Sequence, residues 1–280
     1  MMDKKLFFVK KGKGASPLLA LLIAAAVAFV SCDDFFGTSW GAPRDYDPSN
    51  IDVSAGNVDQ WIAESAGNPD LAEALMKKIK ADLDKSGLSS ADRLALQNAG
   101  MRLAIEASGL GTSLVSNATS VLGDLSDFEN LDAEKIEETV KNLFTDIQSD
   151  FRVRGPAAAA NLAEIAGHSL KDGTGGTPEF SQDFAGAAKP ADVGMAVVTL
   201  AMAVIEDTTG DVSDVDLRNL SASDIPISVN ADGKFIVTDD HAAPEIVVLG
   251  AYLNLIASGG GEFKDNPITG PIGDAFGLAK

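Results

Sequence analysis

Two consecutive segments, each with apolar or small residues every fourth position and each bracketed by its own start and stop signals, most restrict how this chain can fold. Asn68-Pro69-Asp70 supplies a cap, a proline at the first helical position and an acid in the first turn. Leu71, Leu75, Ile79 and Leu83 then form one stripe, and Gly87 stops the run. Ser89, with Asp92 three residues on, opens the next helix as a variant capping box. That helix carries Ala95, Ala99, Leu103 and Ala107 along one face, small enough to let a neighbouring helix approach closely. Helices joined by so few residues lie antiparallel, so residues 69–107 read as an αα-hairpin.

The same punctuation recurs along the chain. Asn57 caps a short segment in which Val58, Trp61 and Ile62 share a face, ended by Gly67. Ser108-Gly-Leu-Gly111 holds two of the three glycines of a dinucleotide loop, but a helix precedes it, so it reads as a helix end followed by a Thr112 cap. Helices are expected over Leu114, Val115, Ala118, Val121 and Leu122, and from Asn130 through Ile136, Val140, Phe144, Ile147 and Phe151. Gly155-Pro156 is expected to break that helix and start another containing Leu162, Ile165 and Leu170. Pro190 opens a strongly apolar helix with Val193, Val197, Leu200, Ala201 and Val204. The last runs from about His241 to Ala257, with Ile246, Leu249, Leu253 and Ile256 on one face. One β signal stands out, an Asp232-Gly233 turn between β-branched residues near 225–238. The helix starts share no fixed period and lack the tetratricopeptide pattern. The expected fold is all-α: an irregular bundle or degenerate helical repeat of antiparallel helix hairpins, with one small β-hairpin.

The first 34 residues follow different rules. Lysines 4, 5, 10, 11 and 13 precede an uncharged apolar run over residues 18–30, then come Ser31, Cys32 and the acids Asp33-Asp34. Thirteen residues make about 20 Å of helix, short of the ~30 Å of a bilayer core, so the run reads as a secretory signal. Cys32 is the single cysteine of the chain, which rules out an intramolecular disulfide. Its place after Val30-Ser31 resembles the lipobox of bacterial lipoproteins, in relaxed form because Phe29 stands where that class usually has Leu; spirochaete lipoproteins use such relaxed boxes. The resemblance covers residues 1–34 and implies cleavage before Cys32 and lipidation of its thiol. Cleavage after Ala26-Val27-Ala28 is the other reading, and leaves Cys32 a free thiol. The expected organisation is a signal peptide over 1–31, a lipid-anchored tether over 32–56, a helical domain over 57–258 and a loose C-terminal tail over 259–280.

Five of the 22 basic and one of the 41 acidic residues fall within residues 1–31, so a chain cut there carries 17 against 40, a net of about −23. A surface of that sign repels nucleic acid and anionic headgroups, and no nucleic-acid partner is expected. The nearest basic cluster, Lys77, Lys78, Lys80 and Lys85, reads as a solvated helix face. Gly37-Thr-Ser39-Trp-Gly41 has the spacing of a hydrolase nucleophile elbow but lacks the strand that such an elbow needs. Residues 228–239 align to a calcium loop without its first Asp or its final Glu, and a hairpin turn explains them without exceptions. Glu164 with His168, and His241 with Glu245, are four apart on helices and offer a weak metal alternative. Residues 171–189, the longest stretch without a period, hold Phe180 and Phe184, a candidate ligand loop. No cofactor and no catalysis are expected. The sequence points to an envelope lipoprotein outside the cytoplasm, joined to a membrane by its N-terminal lipid and acting as a helical scaffold for a protein partner. A periplasmic binding module for a small or apolar ligand is the second reading.

Overall fold

A computed structural model describes residues 51–110, 151–171, 177–209, 227–238, 242–266 and 269–270. The expected helices over 112–150, Cys32, the tether to residue 50 and His241 lie outside these residues. Of the described residues 68% are helical, against the ~one-third of an average domain, and two strands make the single small sheet among them. The all-α reading with one hairpin is therefore what the chain adopts.

The αα-hairpin forms as its caps dictate. Helices α1 (Val58–Ser65), α2 (Pro69–Leu83) and α3 (Ser90–Ala107) follow one another closely. The Asn68 side chain accepts from the Leu71 amide at 3.1 Å, and Ser89 Oγ accepts from the Asp92 amide at 3.1 Å. Gly87, at φ +98, takes the left-handed turn between α2 and α3 that a side chain would resist. All four residues of the α2 stripe, Leu71, Leu75, Ile79 and Leu83, are buried. Asn57 stands in the cap position of α1, yet its side chain turns back, accepting from the Ser54 amide and donating to the Asp52 carbonyl.

Helix α3 departs from a one-faced reading. It packs against α1, α2, α5 (Gln182–Ala187) and α6 (Pro190–Thr209), and its buried residues encircle it from Leu96 to Ala107. Gly100 is what allows so close an approach. A Cβ built there would lie 2.9 Å from Ile165 Cδ1 and 3.1 Å from Ile79 Cγ2. Replacing Gly100 with valine is expected to cost about 2 kcal/mol by overpacking, although the helical propensity of valine exceeds that of glycine. Urea denaturation at constant slope measures it.

Residues 151–167 form α4 without a break, so Gly155-Pro156 does not end a helix as the sequence led us to expect. A proline removes one N–H bond and crowds the carbonyl four residues back, a cost this helix bears, and here the Phe151 ring lies over Gly155, filling the place a Cβ would take. Beyond α6 the hairpin pairs β1 (Ile227–Val229) with β2 (Phe235–Val237), antiparallel, Val229 opposite Phe235. Its turn is longer than a two-residue Asp-Gly loop. Asn230 accepts from the amides of Asp232 and Lys234 through Oδ1, and Gly233 sits at φ +76.

Helix α7 (Pro244–Ser258) starts three residues later than expected, because Pro244 fits the first helical turn and holds Ala243 in an extended conformation, φ −57 and ψ 149. It packs on α6 and on β2. Two boundaries also shift. Ile51 and Val53, placed in the tether by the sequence, are buried in the common core. At the other end, where a loose tail was expected after residue 258, α8 (Gly261–Lys264) buries Phe263, whose carbonyl accepts from the Thr269 hydroxyl. In both places short apolar insertions too sparse for a period add to the core.

Candidate functional site

The residues singled out by sequence fall into separate places. Phe180 and Phe184 are not presented to solvent; they are 5% and 1% exposed. Ser181 caps α5 through the Phe184 amide, and the two rings stack at 4.6 Å between centroids. Phe180 also lies 4.7 Å from Tyr252, which is fully buried on α7. The candidate ligand loop is thus an aromatic plug in the core at Phe180 and Phe184. Leu170 pairs with Phe180 in a β-bridge, which holds the plug against the end of α4.

Glu164 is ion-paired with Lys80 of α2, and His168 Nε2 lies 3.8 Å from Asp84 Oδ1 at the end of α2. Glu245 occupies the first turn of α7. Among the described residues no three His, Cys, Asp or Glu are grouped to hold a metal. The lysine cluster is used within the fold. Lys77 pairs with Glu73 at 2.6 Å, Lys85 with Asp82 and Lys80 with Glu164, while Lys78 donates to the Ile51 carbonyl.

Chemistry-bearing groups gather instead where α3, α6 and α7 meet. Asp192 lies in the first turn of α6, set there by Pro190 at the start of the helix, and is 5% exposed. Arg102 reaches it from α3, Nε to Oδ1 at 3.8 Å, an ion pair beyond hydrogen-bond length. Burial pushes the Asp192 carboxyl up, against the pull of Arg102 and Lys189. Tyr252 is pushed up well beyond the ordinary phenol range by burial and, secondarily, by the charge of Asp192, so its hydroxyl stays neutral. It donates to Met101 Sδ at 3.0 Å. One turn earlier on α3, Gln97 accepts from Ser169 Oγ at 2.8 Å, while Gln97 Nε2, Asn98 Oδ1 and Arg102 Nε are buried without a hydrogen-bond partner.

A second polar feature ties the far side of α7. Asn254, 7% exposed, accepts from the Phe235 amide at 2.8 Å and donates to the carbonyls of Phe235 and Pro178, each at 2.9 Å. It joins helix, hairpin and the segment before α5. Alongside, the Lys234 ammonium holds the Glu179 carboxyl below the usual carboxylate range through a direct hydrogen bond.

Chemically, the Asp192 carboxyl can exchange a proton, while Tyr252 and Met101 offer a neutral donor to a weak acceptor. Sequence reasoning missed this cluster and Asn254. The signals were present as polar residues inside apolar runs, Asp192 beside Val193 and Asn254 between Leu253 and Leu255. No protein-family model, no curated protein and no solved structure matches the chain.

Proposed function

We propose that the chain is a non-catalytic lipoprotein of a bacterial cell envelope, anchored to a membrane through lipid on Cys32, whose helical body holds a protein partner outside the cytoplasm. The observation that favours a scaffold over a ligand-binding module is the packing of Phe180 and Phe184 on Tyr252. A ligand entering there would have to displace two buried rings, each worth about 2 kcal/mol or more of burial. The internal pairing of the lysine cluster and the net acidity of the chain weigh against nucleic acid as the partner.

The test is capture from the native envelope with wild-type protein and Cys32→Ser, after chemical cross-linking and identification by mass spectrometry. Wild type should partition with detergent and recover one protein repeatedly, and Cys32→Ser should lose the membrane fraction. A soluble, still-processed wild type would defeat the anchor. A rise of several degrees in melting temperature with an apolar ligand, and no recovered protein, would replace the scaffold with the ligand-binding module.

A further inference from the structure

The Asp192 carboxyl is out of place for a group with only a structural part. It lies among three helices and retains 7% of its side-chain surface, whereas Arg102, its ionic partner, retains 27%. The cation therefore keeps more of its hydration than the anion does. At 3.8 Å the pair lacks the 2.7–2.9 Å hydrogen bonds by which a buried carboxylate is usually compensated, and Arg102 Nε bears no hydrogen bond at all. The titratable and charged groups facing it are Arg102 from α3, Lys189 just before α6 and Tyr252 from α7. Tyr252, bonded to Met101, gives it no charge, and the first turn of α6 favours an anion only modestly.

We propose that Asp192 is a proton-operated latch at the junction of α3, α6 and α7: with its proton the junction is tight, and without it the junction carries a poorly compensated buried anion. Because burial outweighs the two cations, the folded chain holds this proton to a higher pH than the unfolded chain does. The sign follows directly. The stabilisation is complete below the ordinary carboxylate range and is lost as the pH rises through the folded value. The latch thus tightens on acidification, opposite to the salt-bridged carboxylates responsible for most acid unfolding. It stands whether or not the chain is a scaffold, since no partner enters the argument.

The experiment compares the melting temperatures of the wild type, Asp192→Asn and Arg102→Gln at about pH 8 and about pH 4. The amide keeps the shape of the protonated carboxyl, so Asp192→Asn should melt about 3 °C above the wild type at the higher pH. That gap should narrow at the lower one. Arg102→Gln removes a cation that favours ionisation, so its loss of stability should extend to a higher pH than in the wild type. A gap independent of pH overturns the latch, as does an Asp192→Asn chain that folds but melts lower than the wild type at about pH 8. If Asp192→Asn gives no melting curve at either pH, an Arg102→Gln profile parallel to the wild type still refutes it, and a displaced one still supports it.

Discussion

Tyr252→Ala is expected to lower the unfolding free energy by about 4 kcal/mol, the range for truncating a large buried ring in a core that cannot collapse around the loss. Collapse is blocked here because Phe180 and Phe184 lean on Tyr252 at 4.7 and 6.4 Å from α5 and the segment before it, while the far end of the ring is bonded to Met101 on α3. Three elements lose one shared wall together. Against a total of about 5–15 kcal/mol for a domain, such a loss is severe. Tyr252→Phe is the companion measurement. It keeps the ring and forfeits only a hydrogen bond to sulfur, so its loss should stay below about 1 kcal/mol. Guanidinium unfolding with an unchanged slope reads both, and equal losses would show that the hydroxyl rather than the ring holds the junction.

Asn254→Ala is expected to cost about 3 kcal/mol by a different route. Truncation leaves the Phe235 amide, the Phe235 carbonyl and the Pro178 carbonyl without the partner described above, and unmet buried polar groups carry their full desolvation penalty. The two-stranded hairpin has no further strand among the described residues to compensate. Its release should therefore be local before it is global. Amide exchange at Phe235 and Ile236 should speed up far more than at Leu75 or Leu103, deep in the helical hairpin. Uniform acceleration at all four sites would mean that Asn254 supports the whole body and not the clip alone.

Local sequence rules carried the helical elements and little of their association. The caps at Asn68 and Ser89, the stripe from Leu71 to Leu83 and the apolar run from Val193 to Val204 were legible, since each depends on residues within one or two turns. Helix α5 was missed although Ser181 with Asp183 in its first turn carries a start signal, because six residues are too few to display a period. At Gly155-Pro156 the expected break does not occur, and the contact seen there is a local one, the Phe151 ring one turn earlier on the same helix. The polar junction could not be assembled at all: Arg102 and Asp192 are 90 residues apart in the chain, and nothing local marks one as the partner of the other. A buried acid in an apolar helix announces that it needs a partner, not which one.

The seat of Ile51 and Val53 has a mechanical consequence. Lys78 grips the Ile51 carbonyl, and Trp61 Nε1 donates to the Asp52 carbonyl at 3.1 Å. Cys32 lies 19 residues before Ile51 in the chain, so the two can be at most about 65 Å apart. Should the chain be held at Cys32, tension reaching residues 51 and 52 would load α2 through Lys78 and α1 through Trp61. The grip of Lys78 and Trp61 would act as a strain relief, yielding in the first residues of the body and sparing the core behind it.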